Sequence, residues 1–203
     1  MAILYWLVCL VLLVWLKLVR RLQVSGRENI PPEGPVIFAP NHTSYLDPFV
    51  LAPVILPRRL GFIAKKELFF FPLGPILKGF GAFPVDRSGD ATGAVRTALT
   101  VLEDGLSLGI FPEGTRNHTE EPLLPLKRGV ALMAARSGVP VVPVGISGSR
   151  GFTARIRIRF GTPLILVPDT PDGKVPREAY QEFLDRLEES ILQLKSPNTP
   201  RIP

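Results

Sequence analysis

The stretch Val36-Ile37-Phe38-Ala39-Pro40-Asn41-His42-Thr43-Ser44-Tyr45-Leu46-Asp47-Pro48 joins a short apolar run to a polar turn. A run of four apolar residues bounded by such a turn is typical of a buried strand. Thr43 or Ser44 could cap a following helix, and Pro48 suits its first turn. The stretch therefore predicts a strand over 36–39 and a helix over 47–54.

The same alternation continues along the chain. Further strands are predicted at 60–64, 82–85, 107–111, 139–146 and 154–160, and further helices at 92–102, 128–136 and 177–194. Strands that alternate with helices are typical of an α/β fold with a largely parallel sheet flanked by helices. We divide the chain into an apolar membrane-anchor helix (1–21), a connector (22–35), one domain (36–195) and a tail (196–203).

The N-terminal segment is apolar and has a basic flank. Residues 1–16 carry no charged side chain, and Lys17, Arg20 and Arg21 follow them. A helix of this length spans roughly 24 Å, against a hydrocarbon core of about 30 Å, so it is a marginal span. A cleaved signal peptide carries its positive charge before the apolar run, whereas here the charge comes after it. We expect an uncleaved anchor, with the rest of the chain on the cytoplasmic side.

The charge and composition of the chain limit the kinds of partner and ligand that we expect. The formal charge of +6 favours an anionic partner, such as a phosphorylated substrate or an anionic membrane, although it can also serve solubility alone. No helix-turn-helix or zinc-finger spacing appears, so we expect no nucleic-acid partner. Two histidines and one cysteine cannot build a usual zinc site, and we predict no metal.

Polar residues follow four of the predicted strands. His42 follows the first, Lys65 the second, Arg87 the third and the segment 112–116 the fourth. In parallel sheets, functional residues gather beyond the carboxyl ends of the strands. We therefore expect these groups to meet at one edge of the sheet.

His42 and Asp47 have the chemistry of a general base and the group that orients it. Imidazole exchanges protons near neutral pH, and a carboxylate on its far nitrogen fixes the tautomer. On a continuous helix the two side chains would diverge by about 140°. The pair can meet if His42 lies at the strand exit and Asp47 in the first helical turn. The alternative is a capping aspartate and an incidental histidine.

A covalent nucleophile is not evident. The segment 145–149 is similar to a nucleophile elbow, but Ser149 stands where the second glycine is required. No Walker-type loop occurs, so nucleotide hydrolysis is not expected.

Four segments together carry a resemblance to a known family. Their order and spacing resemble the four motif blocks of the glycerolipid acyltransferases, and the segments are 42–47, 81–87, 111–116 and 139–144. The likeness covers roughly residues 25–165 and is nearest to the short bacterial lysophosphatidate acyltransferases. It implies a fold like that of glycerol-3-phosphate acyltransferase. It also implies transfer of an acyl group from acyl-CoA or acyl-carrier protein to the sn-2 hydroxyl of 1-acyl-glycerol 3-phosphate, without a cofactor.

The resemblance also implies residue roles. His42 would be the base and Asp47 its orienter. The substrate-binding residues would be Lys65, Arg87, Glu113, Gly114, Thr115 and Arg116. Within this set the cations would hold the acceptor's phosphate, and Glu113 and Gly114 would lie in the acceptor site. The domain over 36–195 would be the acyltransferase domain, held by the anchor at the cytoplasmic face of the inner membrane.

Three alternatives stay open. The acceptor could be glycerol 3-phosphate, a lysophospholipid or a lyso-ornithine lipid. The protein could be a non-catalytic membrane protein that binds anionic lipid, or a thioesterase in which water replaces the acceptor.

Some relatives carry a two-helix membrane element, whereas one apolar segment precedes the domain here. The segment 69–71, three phenylalanines, could face an acyl chain, a membrane or the core.

Overall fold

The computed structural model describes residues 2–85, 92–151, 154–166 and 175–196. The strands are β1 (Gln23–Ser25), β2 (Ile37–Pro40), β3 (Leu60–Lys65), β4 (Ala82–Val85), β5 (Ser107–Gly109), β6 (Val141–Ser147) and β7 (Arg157–Phe160). The α-helices are α1 (Ala2–Leu18), α2 (Asp47–Val54), α3 (Leu73–Gly79), α4 (Thr92–Glu103), α5 (Gly129–Ser137) and α6 (Arg177–Lys195).

The described strands form one seven-stranded sheet in the order β1-β7-β6-β2-β5-β3-β4. The five strands from β6 to β4 are mutually parallel. β7 pairs antiparallel with β6, and β1 pairs parallel with β7. The α/β class with a largely parallel sheet is confirmed. β2 lies at the centre of the sheet, between the parallel strands β6 and β5. The residues that follow β2 therefore lie between the carboxyl ends of these two strands.

Two apolar clusters cover the two faces of the sheet. Neighbouring residues of a strand point to opposite faces, and β2 divides in this way. Phe38 packs with residues of α1 and α2, whereas Ile37 and Ala39 pack with residues of α4, α5 and α6. The result is a three-layer structure in which α2 begins directly beside the exit of β2.

Most predicted elements are present within a few residues. The helix at 47–54 is α2, and the helix at 128–136 is α5, which ends at Gly138 with φ 64°. Two segments differ. The connector at 22–35 contains β1, which is too short and too polar to show a strand pattern. The strand at 154–160 begins only at Arg157.

No helix among the described residues is long and apolar enough to cross a membrane. The N-terminal apolar segment does form α1, and this helix packs on α2 with Tyr5, Cys9 and Leu16 buried. Burial also raises the pKa of the Cys9 thiol, as expected for an unreactive cysteine. The opposite side of α1 is exposed and apolar, and its residues are Leu7, Val8, Leu10, Val11, Val14, Trp15 and Leu18. We call these seven residues the outer face of α1.

Candidate active site

His42 and Asp47 meet where β2 gives way to α2. The Nδ1 atom of His42 lies 2.9 Å from Oδ2 of Asp47. His42 follows β2 by two residues, and Asp47 is the first residue of α2. The turn between them brings the carboxylate back to the imidazole, which a continuous helix would not do.

The Asp47 carboxylate is buried and organises this turn. Its side chain is 0% exposed, and Oδ2 also accepts the backbone N–H groups of Thr43 at 2.7 Å and Ser44 at 2.8 Å. An oxygen that receives two N–H donors acts as an acceptor, so the third contact is donated by Nδ1–H of His42. Nε2 is then the unprotonated nitrogen of the neutral imidazole, as a general base requires.

Phe111 limits the movement of the imidazole. Its ring stacks on that of His42 with the centroids 3.9 Å apart and the planes inclined by 22°. The His42 side chain is 16% exposed. One face of the imidazole is therefore covered by an apolar ring while part of the side chain still meets solvent.

Glu113 fixes the backbone of His42. The residue is 1% exposed, and Oε1 accepts the backbone N–H of His42 at 2.6 Å. Oε2 accepts the backbone N–H of Leu124 at 2.9 Å. The resemblance implies that Glu113 lies in the acceptor site. The structure instead turns its carboxylate inward, behind the histidine, with each oxygen bonded to a backbone N–H.

Burial dominates the electrostatics of Glu113 and its neighbour Lys195. Burial raises the pKa of the Glu113 carboxyl, although the N–H groups of Leu124 and His42 and then the charge of Lys195 oppose the rise. Burial likewise lowers the pKa of Lys195, against the attraction of Glu113. Desolvation penalises the charged form of both groups. The Lys195 ammonium also donates to the carbonyl of Pro122, so the end of α6 contacts the loop that follows Arg116.

Gly114, Thr115 and Arg116 continue this loop toward the surface. Gly114 has φ 72°, and a Cβ there would lie 3.2 Å from Cγ of Lys127, so a side chain would be strained. Thr115 is exposed. The guanidinium of Arg116 lies 3.5 Å from the ring centroid of Tyr45, and its Nη2 donates to the Tyr45 hydroxyl at 2.7 Å. Because Tyr45 offers a ring and a hydroxyl rather than a carboxylate, this contact orients the cation without pairing it with an acidic side chain.

The remaining predicted cations are less fully described. Lys65 is the last residue of β3, and its Cα pairs with that of Val85 at the end of β4. The structure describes the backbone of Lys65 but not its side chain. Arg87 follows β4 and lies outside the described residues. The ends of β2, β3 and β4 thus share one edge of the sheet, as the parallel arrangement predicts.

Several residues at this edge were not predicted. Asn41 is fully buried and bonds to the backbone of Ile146 through both its oxygen and its nitrogen. The backbone N–H of Asn117 donates to the carbonyl of His42 at 2.7 Å. Tyr45 positions Arg116. Asn41 and Tyr45 stand inside the motif, but no spacing rule gives the direction of their side chains.

Comparisons with known proteins identify the family of the chain. The family model described as "Acyltransferase" matches residues 21–147. The chain is 35% identical over 183 residues to the 1-acyl-sn-glycerol-3-phosphate acyltransferase of Bacillus subtilis (strain 168), which covers 85% of this chain and 90% of that protein. It is 32% identical to the alpha form of that enzyme from Mus musculus, over 86% of this chain and 63% of the mouse protein.

A solved structure shows the same fold. It is the crystal structure of the 1-acyl-sn-glycerophosphate (LPA) acyltransferase PlsC from Thermotoga maritima, with a TM-score of 0.67 and 27% sequence identity. The match covers 92% of this chain and 80% of that one. The family model alone accounts for more than half of the chain. The chain therefore belongs to the Acyltransferase family.

Proposed function

We propose that this protein transfers a fatty acyl group from an acyl thioester to the sn-2 hydroxyl of 1-acyl-glycerol 3-phosphate. The observation that carries the proposal is the His42–Asp47 pair, with Nε2 left as the basic nitrogen and Arg116 on the neighbouring loop. The names of the relatives support the same acceptor. The donor would be acyl-CoA or acyl-carrier protein.

The proposed reaction is one direct transfer. Nε2 of His42 removes the proton of the acceptor hydroxyl as its oxygen attacks the thioester carbonyl. The C–S bond then breaks, the thiolate leaves, and the imidazolium returns the proton to the thiolate. Asp47 stabilises the imidazolium during this step. General-base catalysis of this kind contributes about 10²- to 10⁴-fold in rate.

No covalent intermediate on a serine is needed in this scheme. Ser149, the serine of the elbow-like segment, is 1% exposed, and its hydroxyl lies 3.2 Å from that of Thr43. Ser44 donates through its backbone to Asp47, and its hydroxyl accepts the N–H of Leu46 at 3.1 Å. Both hydroxyls have contacts of their own within the turn.

Arg116 is the proposed phosphate-binding residue. Its planar guanidinium suits phosphate oxygens, and its contact with Tyr45 keeps it beside the turn that carries His42. Lys65 and Arg87 are proposed as further cations, because each follows a strand that ends at the same edge. Thr115 and Gly114 belong to the same loop, and their contact with the acceptor stays a prediction.

We also propose that the protein works on a membrane surface. The outer face of α1 offers a row of exposed apolar side chains, and a lipid surface would cover them. Phe70 and Phe71 are also exposed. Their exposure favours the interpretation that the segment 69–71 faces a membrane over the interpretation that it packs in the core. The cytoplasmic face stays a prediction based on the basic residues that follow α1.

The test is a transfer assay with the purified protein. Radiolabelled acyl-CoA and acyl-carrier protein are each offered with lysophosphatidate, glycerol 3-phosphate, a lysophospholipid, a lyso-ornithine lipid or water alone. We expect transfer to lysophosphatidate that His42→Ala abolishes while the variant keeps its melting temperature. His118→Ala, the exposed second histidine, is the matched control and should keep full activity.

The outcomes separate the alternatives. Transfer to another acceptor would change the substrate but keep the chemistry. Release of free fatty acid with every acceptor would identify a thioesterase. Lipid binding without any turnover would identify a non-catalytic protein, and full activity of His42→Ala would remove His42 as the base.

A further inference from the structure

Arg20 is an arginine with no exposed surface and no carboxylate partner among the described residues. It lies between α1 and β1 and is 0% exposed. The ion pair of His42 and Asp47 lies elsewhere in the described part of the chain and does not involve Arg20. Arginine is rarely buried to this extent unless it is paired. The Arg20 guanidinium is therefore held by a different kind of partner.

That partner is a set of backbone carbonyls. Nη2 of Arg20 lies 2.9 Å from the oxygen of Gly148, 3.0 Å from that of Gly151 and 3.1 Å from that of Ala154. Nε lies 3.3 Å from the Ala154 oxygen, and Cζ lies 5.7 Å from the centroid of the Trp15 ring. The carbonyls belong to the β6–β7 loop, residues 148–156, of which 148–151 and 154–156 are described. Arg20 draws the two ends of this loop together.

The loop is also constrained at its start. Gly148 has φ 76°, and a Cβ there would lie 2.0 Å from the carbonyl oxygen of Arg155. Such a contact is impossible for any other residue without moving the backbone. The close approach and the Arg20 contacts together fix the described ends of the loop, residues 148–151 and 154–156.

The β6–β7 loop in turn touches the catalytic turn. Ser149 is buried with its hydroxyl 3.2 Å from that of Thr43. Arg150 donates from Nε to the Thr43 carbonyl at 3.4 Å and from Nη2 to the Asn117 carbonyl.

Thr43 and Asn117 are the backbone neighbours that hold the base. The Thr43 N–H donates to the Asp47 carboxylate at 2.7 Å, and the Asn117 N–H donates to the His42 carbonyl at 2.7 Å. A movement of the loop would therefore displace backbone groups that flank His42, at Thr43 and at Asn117.

We propose that Arg20 is a positioning residue for the acyl transfer reaction. By holding the β6–β7 loop it keeps Ser149 and Arg150 against the catalytic turn, and so keeps His42 in hydrogen-bond geometry with Asp47. The inference rests on the proposed function for its kinetic consequence, but its structural content is independent of it. It also connects the end of the N-terminal helix to the active site through the β6–β7 loop.

The first test is kinetic and uses Arg20→Lys. Lysine keeps the positive charge, but its side chain is one bond shorter, so the ammonium would not reach the position of Nη2, and the Nε contact with the Ala154 carbonyl would be lost. We expect kcat to fall about 10- to 100-fold, since small misplacements of catalytic groups have effects of this size, with the KM of both substrates unchanged. Arg155→Lys is the matched control, because Arg155 belongs to the same loop and its side chain is exposed. It should leave both constants unchanged.

The second test observes the base directly. The chain has two histidines, so ¹⁵N-histidine labelling gives two sets of ring signals, and His118→Gln assigns them. In Arg20→Lys we expect the Nδ1–H signal of His42 to shift or broaden as its hydrogen bond to Asp47 loosens. Arg155→Lys should leave it in place. A merely structural role elsewhere would not move this signal.

The two tests are read together. A fall in kcat at constant KM with a changed His42 signal supports the proposal, and either change alone overturns it. If Arg20→Lys does not fold, the double variant Ser149→Ala/Arg150→Met cuts the same link from the loop side and must give both changes. If the wild-type protein shows no transfer, the proposed function fails, and the His42 signal alone decides whether Arg20 holds the pair.

Discussion

The Glu113 carboxylate bonds to backbone N–H groups on two different segments, so it is sensitive to a change of one atom. In Glu113→Gln the amide nitrogen would face one of the N–H groups of His42 and Leu124, placing donor against donor. An unmatched buried polar group costs about 1–3 kcal/mol. We expect the free energy of unfolding to fall by that amount and kcat to fall while the acceptor KM stays constant. Urea unfolding and steady-state kinetics measure both, and a selective rise in the acceptor KM would instead place Glu113 at the acceptor.

The same residue predicts a pH dependence of stability. Because burial raises the pKa of Glu113, the folded protein keeps its proton at pH values where the unfolded chain has lost it. The contribution of this group to stability is present below the unfolded pKa and is lost as pH rises through the folded pKa. The free energy of unfolding relative to Glu113→Gln should therefore fall with pH across that interval. A rise with pH would mean that the N–H donors and Lys195 outweigh burial.

Arg116 predicts an effect on one substrate alone. Its guanidinium is exposed enough to meet a ligand and is oriented by Tyr45. Arg116→Ala should raise the KM of the phosphorylated acceptor at least about 10-fold, as expected for loss of a charged hydrogen bond, and leave the donor KM nearly unchanged. Arg186→Ala removes an exposed arginine from α6 and serves as the control. Equal increases for both substrates would argue against a phosphate role.

The sequence reveals which residues meet at the site but not how their side chains point. The position of His42 and Asp47 across a turn follows from helical geometry, because the alternative places them about 140° apart. The inward direction of Glu113 does not follow, since it depends on the backbone of Leu124 arriving beside it. The contacts of Arg20 could not be predicted from the sequence for the same reason. Its partners are carbonyls more than a hundred residues away along the chain.

At the scale of elements, β6 and α6 approach closely at Gly145. A Cβ there would lie 2.6 Å from Cβ of Leu194 and 2.8 Å from its carbonyl oxygen. Gly145→Ala should lower the free energy of unfolding by about 1–3 kcal/mol, because the end of α6 must shift. At Gly129, the first residue of α5, a Cβ would meet nothing within 4 Å. Gly129→Ala should be neutral or stabilise by up to about 1 kcal/mol. Equal effects in thermal or urea unfolding would contradict this packing.

Most helices and strands could be located from the sequence, but the directions of the strands in the sheet could not. Apolar runs and helical periodicity located α2, α4, α5 and α6 to within a residue or two. The reversed direction of β7 and β1 is decided by pairing between segments far apart in the chain, on which alternation carries no information. The three residues of β1 also give no periodic signal. Local pattern therefore predicts the parallel centre of the sheet and misses its antiparallel edge.

At the scale of the whole molecule, α1 both packs in the core and presents an exposed apolar face, and the sequence did not distinguish these two roles. One side of the helix belongs to the core, where the Tyr5 hydroxyl accepts the N–H of Leu60 at 3.2 Å. The outer face of α1 is exposed. Deleting residues 1–19 would therefore remove core packing together with any membrane contact, and loss of attachment after deletion would not identify the cause. Point substitutions on the outer face separate the two roles.

The double substitution Leu10→Glu/Val11→Glu tests membrane attachment. These residues are 54% and 61% exposed, so the fold should keep its melting temperature within a few degrees. Burial of each such side chain in lipid contributes about 1.5–3 kcal/mol, and vesicle binding should fall at least about 100-fold. Gln181→Glu/Gln193→Glu adds the same charge on α6 and should leave binding intact. Sedimentation with vesicles of zwitterionic and anionic lipid measures the effect. Undiminished binding by the folded α1 variant would show that a different surface holds the membrane.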